Sequence, residues 1–372
     1  MKISLITILD NVNFGTYLQA LATCKTIEKL GHKVEVIRYT RLSMTPRGRS
    51  YAILKERGVL RWFKRCVLTS NKDTFILRNK NYDFLSKFVN VTNEYIGFDT
   101  LQKNPPIADI YLTGSDQVWN SVYNHGIDRS FYLDFAPIGK KRIAYAASIG
   151  MPEIPNHDGQ REIMKILLEK YCHITVREKS AVSLLKEIGI KSEVVLDPTL
   201  LMSKTDWEKI ANNFSFNIAE DYLLTYSVEY GKEDSYIEYY ARKIAKDKGL
   251  KIYHVSYSDT KSMPKYADKV FPRATPDLFL NLMLHASFVV VSSFHGTAFS
   301  INFNKEFLTV APHRFSTRIE SLLDILGLKD RIVRDKNFEI ENMEAINYNI
   351  IEQILLKERQ RSIDKLKQII EE

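Results

Sequence analysis

The sequence has few cysteines and no long apolar run. Its 372 residues include an odd number of cysteines, far apart and without a Cys-x-x-Cys motif: Cys24, Cys66 and Cys172. This pattern disfavours both a disulfide framework and a zinc site, and it fits a reducing, cytoplasmic environment. No apolar stretch approaches the roughly 20 residues that a membrane-spanning helix needs, which excludes an integral membrane protein.

The amino terminus also lacks the features of a signal peptide. Met1–Leu9 has one lysine and a short apolar run with no small-residue cleavage site after it, so we expect a buried strand there. Repeats and low-complexity segments are missing too. A composition of 45% hydrophobic and 26% charged residues is that of a globular protein, and this length predicts two domains.

Positive charge is concentrated in one window. Residues 38–80 hold 12 lysines and arginines and only two acidic residues, Glu56 and Asp73. The net charge of this window is therefore +10, which exceeds the net charge of +8 of the whole chain. Such a patch attracts anions: a phosphorylated substrate, a lipid headgroup or nucleic acid. We favour a surface insertion whose apolar side packs on the domain, with peripheral contact to an anionic membrane as the alternative. Nucleic acid is not expected, because no recognisable reading module accompanies the charge.

The first half predicts a parallel α/β sheet, because short β-branched stretches alternate with helical ones. Apolar residues at helical spacing predict a helix over Tyr17–Leu30, ending before Gly31. Strands are expected at 2–9, 33–38, 109–113, 142–147, 174–176 and 193–196. A helix start after Asp197-Pro198-Thr199 puts the domain boundary near 200–215, which gives domains 1–205 and 206–343 and a terminal helix in 344–372.

A second alternating set follows that boundary. Strands are expected at 222–228, 251–256, 288–292 and 307–310. Helices are expected over 234–247, 276–286 and from about 296. The charged tail 344–370 predicts a long helix that either packs across the domain junction or lies free. The fold class is therefore α/β, with two Rossmann-like domains facing a central cleft, and ligands are expected beyond the carboxyl ends of the strands.

Two loops of the first half combine glycine with polar residues. In Asp10–Thr16, Gly15 allows close backbone approach before a helix N-terminus, although the segment is not a dinucleotide fingerprint. In Leu112–Asn120, a hydrophobic strand ends in directional donors and acceptors of the kind that a polyhydroxyl ligand requires. Trp119 is either a sugar-stacking residue or core. Asp116 is a candidate base, or alternatively a helix N-cap.

The loop after the strand 288–292 has the strongest signal. A fully apolar strand leads to Ser292, Ser293 and His295, and Gly296-Thr297 is expected to open a helix with free amides for a phosphate or carboxylate. Histidine is the side chain best suited to exchange protons near neutral pH.

Two arginines are candidates for bidentate binding of an anion: Arg177 after the strand 174–176, and Arg318 in Phe315–Glu320. The alternative for each is a surface ion pair with the neighbouring Glu178 or Glu320.

Together these loops resemble the polysaccharide pyruvyl transferase family over almost the full chain. The likeness is carried by Asn13-Phe14-Gly15 with Leu18-Gln19-Ala20, Gly114–Asn120, Arg177-Glu178, Leu196-Asp197-Pro198 and above all Ser293–Ser300. The resemblance implies a fold similar to the GT-B glycosyltransferases. It also implies transfer of a pyruvyl group from phosphoenolpyruvate to two hydroxyls of a sugar in a surface polysaccharide or its lipid-linked precursor, forming a ketal.

This resemblance assigns roles to the loops. His295 becomes the candidate general acid and Asp116 a candidate base, without metal or cofactor. The donor is expected on the carboxyl-terminal domain and the acceptor on the amino-terminal one. The expected donor-binding residues are Arg177, Ser293, Gly296, Thr297 and Arg318. The expected acceptor-binding residues are Asn13, Gly15, Gly114, Ser115, Gln117 and Asn120.

One position departs from the family pattern. Some members have a donor-binding arginine two residues before the histidine, where this chain has Ser293. Either Arg318, His313 or Arg314 replaces that charge, or the donor differs. The alternatives are therefore a nucleotide-sugar glycosyltransferase of the same architecture and a noncatalytic protein that binds an anionic glycan.

Overall fold

A computed structural model describes residues 1–45, 72–156, 158–213, 220–228, 232–257, 264–312 and 316–372. Two parallel sheets, each flanked by helices, account for most of this part of the chain. Most of the basic window 38–80 lies outside the described residues, as do Cys66, His157, His313 and Arg314. No helix of the described ranges is both long enough and apolar enough to cross a bilayer.

The first sheet has seven strands in the order β4-β2-β1-β6-β7-β8-β9, and a two-stranded sheet pairs β3 with β5. The strands are β1 Lys2–Ile6, β2 Lys33–Val36, β3 Tyr39–Thr40, β4 Asn90–Val91, β5 Tyr95–Ile96, β6 Ile110–Thr113, β7 Lys141–Ala147, β8 His173–Val176 and β9 Glu193–Val194. The helices are α1 Phe14–Lys29, α2 Lys72–Ser86, α3 Phe98–Lys103, α4 Gln160–Leu168 and α5 Lys179–Glu187.

The second sheet has six strands in the order β12-β11-β10-β13-β14-β15. They are β10 Tyr222–Tyr226, β11 Lys251–Val255, β12 Lys269–Phe271, β13 Phe288–Val291, β14 Glu306–Val310 and β15 Ile332–Val333. The helices are α6 Lys204–Ala211, α7 Lys232–Lys248, α8 Pro276–His285, α9 Phe294–Asn302, α10 Thr317–Leu326 and α11 Tyr348–Glu371. The predicted pair of Rossmann-like sheets is therefore confirmed.

Seven of the predicted strands are shorter in the structure than the segments that predicted them, whereas β7, β8 and β14 begin one residue earlier than predicted. β1 ends at Ile6, yet Ile8 and Leu9 are fully buried. After Ile6 the chain leaves the ladder, and the Thr7 hydroxyl donates to the carbonyl of Ser115 at 2.7 Å. Burial in this loop therefore continues without strand pairing, which an apolar pattern cannot distinguish from a longer strand.

Helix α1 begins three residues earlier than its apolar spacing predicts. Asn13 caps it by accepting a hydrogen bond from the amide of Gly15 at 2.9 Å. The helix is buried on nearly all sides, because one side packs on the first half and the other meets the second. Phe14 stacks on Phe279 of α8 with ring centroids 4.4 Å apart. The two halves consequently share one continuous apolar core.

The long terminal helix α11 packs back onto the first sheet, which decides between the two possibilities left open by the sequence. Leu366, Ile369 and Ile370 are buried. The Ser362 hydroxyl accepts a hydrogen bond from the amide of Leu196 at 3.0 Å, and Lys141 of β7 donates to the carbonyl of Ile370 at 3.1 Å. The chain thus begins and ends in the same half of the molecule.

We predict that Leu366→Ala lowers the free energy of unfolding by about 2–5 kcal/mol, because Leu366 is fully buried between α11 and the sheet. Leu356→Ala removes the same atoms from an exposed position of the same helix and should cost less than about 0.5 kcal/mol. Urea unfolding of both variants checks this. Equal midpoints would contradict the docking of α11.

Candidate active site

A polar cavity of about 280 Å³ lies between the carboxyl ends of the two sheets. Loops that follow β1 and β6 form the wall of the first half. Loops that follow β10, β11 and β13, together with α10, form the wall of the second. The lining residues are Asn11, Val12, Asn13, Thr16, Asp116, Gln117, Tyr123, Val228, Tyr257, Ser293, Phe294, His295 and Arg318.

Helix α9 places His295 on the cavity wall. The prediction that Gly296 opens this helix is wrong, because Ser293 is the N-cap and the helix begins at Phe294. The Ser293 hydroxyl accepts a hydrogen bond from the amide of Gly296 at 3.2 Å, so that amide is already occupied. Thr297 is fully buried and its hydroxyl bonds Thr309. The expected free amides at Gly296 and Thr297 are thus not on the cavity surface.

Gly15 is where the two halves meet at His295. A Cβ atom at Gly15 would lie 2.2 Å from Nδ1 of His295, which is far inside van der Waals contact. Only glycine therefore lets the first turn of α1 lie against the imidazole. Gly296 has a similar packing role, since a Cβ there would lie 3.0 Å from Val291.

A buried ion pair lies behind the cavity wall. Arg177, which follows β8, donates from Nη1 to Asp197 at 2.7 Å. The Asp197 carboxylate also accepts from the hydroxyl of Ser115 at 2.8 Å and from the amide and hydroxyl of Thr199. Burial alone would raise the pKa of Asp197, but the charge of Arg177 and these hydrogen bonds lower it to about 2.

Asp116 has an unusual backbone. Its φ is +81°, a left-handed conformation that is uncommon for a residue other than glycine. The Asp116 carbonyl accepts from the amide of Ser148 at 3.0 Å, and the residue forms an isolated parallel bridge with Ala147. These bonds direct its carboxylate to the cavity, 3.6 Å from Nη2 of Arg177.

Glu178 fixes the loop after β7. It is fully buried and accepts hydrogen bonds from the Ser148 hydroxyl and from the amides of Ile149 and Gly150 at 2.9–3.0 Å. Gly150 in turn packs against Gln117, because a Cβ there would lie 2.5 Å from Oε1 of that side chain. Glu178 is therefore an anchor for the cavity wall, whereas the sequence offered it only as an ion-pair partner of Arg177.

Two guanidinium groups lie near the aromatic ring of Phe294. Arg177 lies 4.4 Å and Arg318 5.9 Å from the centroid of its ring. Nε of Arg318, and both Nε and Nη2 of Arg177, have no hydrogen-bond partner among the described residues. Burial and the charge of Arg177 lower the pKa of Arg318 to about 10, so it stays cationic at neutral pH. Glu320 pairs with Arg334 instead of Arg318.

His295 is a neutral imidazole at neutral pH. Burial lowers its pKa to about 4, against the opposing charges of Asp197 and Asp116. Its Nε2 has no hydrogen-bond partner in the part of the chain that the structure describes. A buried imidazole nitrogen without a partner is costly unless a ligand supplies one.

The structure brings six of the predicted site residues to the cavity surface: Asn13, Asp116, Gln117, Ser293, His295 and Arg318. Arg177 lies just behind them. Three others are fixed inside the protein: a Cβ at Gly114 would lie 2.6 Å from Leu5, the Ser115 hydroxyl bonds Asp197, and Asn120 is fully buried. Trp119 is core and bonds the carbonyl of Phe131.

Sequence reasoning missed Asn11, Tyr123, Tyr257 and the central part played by Asp197. Asn11 stood within the first loop, and Asp197 within Leu196-Asp197-Pro198, but neither carried a role. Tyr123 lies ten residues after β6, too far for a local signal, whereas Tyr257 directly follows the predicted strand 251–256 but has no accompanying motif. Among the described residues, no group of three or more histidine, cysteine or acidic side chains is arranged to hold a metal ion.

Part of the basic window 38–80 is engaged within the protein. Arg41 is buried and forms a two-point ion pair with Asp10, with both N···O distances at 2.8 Å. Arg78 is buried near Glu94, and Arg38 bonds Asn79. These arginines are not a free basic surface. Contact of this window with a membrane stays a prediction, since 46–71 lies outside the described residues.

Two buried neutral histidines predict acid sensitivity. Burial lowers the pKa of both His295 and His254 to about 4, whereas in the unfolded chain each titrates near 6.5. As pH falls from about 6.5 towards 5, the unfolded chain takes up protons that the folded chain does not. The free energy of unfolding should therefore drop by about 1.4 kcal/mol per pH unit for each histidine.

Urea unfolding between pH 7 and 5 checks this acid sensitivity. His295→Gln and His254→Gln should each reduce the dependence of the free energy of unfolding on pH by the contribution of one histidine. An unchanged slope in His295→Gln would contradict a neutral His295.

Solved structures with a similar fold include three epimerases. UDP-GlcNAc 2-epimerase from Methanocaldococcus jannaschii has a TM-score of 0.50 at 13% identity, covering 96% of this chain and 92% of that one. A putative UDP-N-acetylglucosamine 2-epimerase from Listeria monocytogenes has a TM-score of 0.50 at 11% identity, covering 99% and 90%. Another UDP-N-acetylglucosamine 2-epimerase has a TM-score of 0.51 at 10% identity, covering 98% and 94%.

At these identities the likeness shows the fold alone, which is GT-B-like. No curated protein matches the chain. The sequence model of one family, polysaccharide pyruvyl transferase, matches residues 13–314. That match spans most of the chain and includes every described cavity-lining residue except Asn11, Val12 and Arg318. The chain belongs to the polysaccharide pyruvyl transferase family.

Proposed function

We propose that this protein transfers a pyruvyl group from phosphoenolpyruvate to two hydroxyls of a sugar, forming a ketal on a polysaccharide or its lipid-linked precursor. Family membership supports a transferase with a glycan acceptor. One observation supports the anionic donor: unpartnered Nε2 of His295 and unpartnered Nε of Arg318 belong to residues that line the same cavity. A donor with a phosphate and a carboxylate would supply acceptors for both.

In this proposal Arg318 supplies the positive charge that other family members have at the position of Ser293. The Ser293 hydroxyl caps α9, whereas the Arg318 guanidinium lies beside Phe294, the residue that follows Ser293. Arg177 adds a second positive charge on the same ring. Both guanidinium groups are held in place by the packing around Phe294, so they bind an anion without first having to be ordered.

The proposed reaction uses His295 and Asp116 as the proton-transfer pair. The first sugar hydroxyl adds to C2 of phosphoenolpyruvate while its proton passes to Asp116, and the methylene carbon gains a proton from His295. The C2–O bond to phosphate then breaks. The second hydroxyl adds to C2 and loses its proton to the departing phosphate, so the products are the ketal and inorganic phosphate. Asp116 then releases its proton to solvent and His295 takes one up, which restores both groups for the next turnover. General acid and base catalysis of this kind contributes about 100-fold to 10,000-fold to a rate.

We expect His295→Gln to lower acceptor-dependent release of phosphate from phosphoenolpyruvate by at least about 100-fold. The assay supplies a panel of glycans and lipid-linked oligosaccharides as acceptors. His254→Gln is the matched control, because His254 is an equally buried histidine of β11 that does not line the cavity. The control should keep its activity.

Two results would contradict the proposed function. Equal activity of His295→Gln and wild type would show that His295 does not donate the proton in this reaction. Release of a nucleoside diphosphate from a nucleotide sugar, with no phosphate released from phosphoenolpyruvate, would establish a glycosyltransferase instead.

Donor binding should also protonate His295. Burial lowers its pKa to about 4, and two new negative charges beside the imidazole favour the charged form. Calorimetric titration of phosphoenolpyruvate at pH 6.5, in buffers that differ in ionisation enthalpy, measures the protons taken up. Wild type should take up more protons than His295→Gln, with the difference approaching one. Equal uptake by both would place the donor away from His295.

A further inference from the structure

The two walls of the cavity differ in charge. The second half contributes Arg318 and His295. Arg177 belongs to the first half and lies behind the cavity wall, against the ring of Phe294. Among its described residues, the wall of the first half has a single charged side chain, Asp116, and no lysine or arginine. The remaining polar groups of this wall are carboxamides and hydroxyls.

The carboxamides of this wall are oriented by the protein. Oδ1 of Asn11 accepts from the amide of Asn13 at 3.0 Å, and Oδ1 of Asn13 accepts from the amide of Gly15 at 2.9 Å. A backbone amide can only donate, so the oxygen of each side chain must be the atom facing it. The Tyr123 amide fixes Asn120 in the same way, and Asn120 then donates to Oε1 of Gln117 at 2.7 Å.

It follows that the oxygens of these carboxamides are occupied while N–H groups remain for a ligand. Each carboxamide nitrogen carries two hydrogens. Asn11 uses one of them to donate to the phenol oxygen of Tyr123 at 3.2 Å. The phenol hydrogen of Tyr123 is then free to be donated in turn. The wall therefore offers N–H and O–H donors, with Asp116 as the acceptor among them.

Tyr123 is held from behind by the buried ion pair of Arg41 and Asp10. The Arg41 guanidinium lies 5.5 Å from the centroid of the Tyr123 ring. Arg41 also donates to Oδ1 of Asn124 at 2.5 Å. Burial and the charge of Asp116 raise the pKa of Tyr123, so its hydroxyl is a neutral donor at physiological pH. A fixed ring and a fixed carboxamide form a preorganised binding surface.

We propose that Asn11 and Tyr123 form the acceptor subsite and bind hydroxyl oxygens of a neutral sugar. This rests on the proposed function for the identity of the reaction. A neutral polyol matches a wall of uncharged donors around one carboxylate that can accept a hydroxyl proton. No described lysine or arginine of the first half lines the cavity, because Arg177 lies behind the wall, so an acidic sugar would gain no direct ion pair there.

The test compares Tyr123→Phe, which removes only the hydroxyl, with Tyr39→Phe. Tyr39 belongs to the same half, but its hydroxyl donates to Asp128 and does not line the cavity. Loss of one hydrogen bond should raise the acceptor KM of Tyr123→Phe about threefold to tenfold, with the KM for phosphoenolpyruvate unchanged. Tyr39→Phe should leave both constants unchanged. An unchanged acceptor KM in Tyr123→Phe, or an equal rise in both constants, would overturn the subsite.

A binding measurement without turnover separates this proposal from the reaction itself. Saturation-transfer NMR is recorded with the methyl glycosides of galactose, glucose and mannose and with methyl glucuronide. We expect a neutral glycoside to bind wild type more tightly than the glucuronide does, and to bind Tyr123→Phe about threefold to tenfold more weakly. If wild type shows this yet releases no phosphate from phosphoenolpyruvate, the subsite stands and the proposed donor chemistry falls. Glucuronide binding at least as tight, or no neutral glycoside binding, would overturn the subsite.

Discussion

The buried ion pair between Arg177 and Asp197 is the interaction on which the rest of the candidate site depends. Two charges removed from water are stable only where each has a partner and the remaining polar atoms are satisfied. Asp197 meets this condition through Arg177, Ser115 and Thr199, whereas Nε and Nη2 of Arg177 have no hydrogen-bond partner among the described residues. The pair therefore ties together the loops that follow β6, β8 and β9. It also holds the guanidinium of Arg177 against Phe294, and Phe294 is next to His295 in α9.

A second constraint is the close contact of the two halves at α1. Phe14 stacks on Phe279, and the next residue, Gly15, lies against the imidazole of His295. The apolar core continues through this contact from one sheet to the other. His295 is consequently positioned by both halves of the molecule, and its burial between them lowers its pKa and keeps it neutral.

Particular elements show how far sequence reasoning reaches. Both sheets, and α1, α7, α8 and α11, follow from apolar spacing and from alternation of strands and helices, since those patterns reflect burial of one face. The two-residue strands β3, β4, β5 and β15 and the three-residue β12 were missed, because so few residues carry no periodicity, whereas the equally short β9 was predicted because its apolar run continues to Leu196. The helix that contains His295 begins two residues before its predicted start at Gly296, because Ser293 caps it.

Sequence patterns are sufficient to assign the family, the α/β class and the loops that contain His295, Asp116 and Arg318, because short motifs keep their residues together along the chain. Which side chains of those loops reach the cavity depends on tertiary contacts. Ser115 is turned inward to Asp197, 82 positions away, whereas Asn13 and Gln117 line the cavity. Asn11 and Tyr123 meet across 112 positions of sequence. The orientation of a side chain depends on such long-range partners, and a local sequence pattern does not show which residues they are.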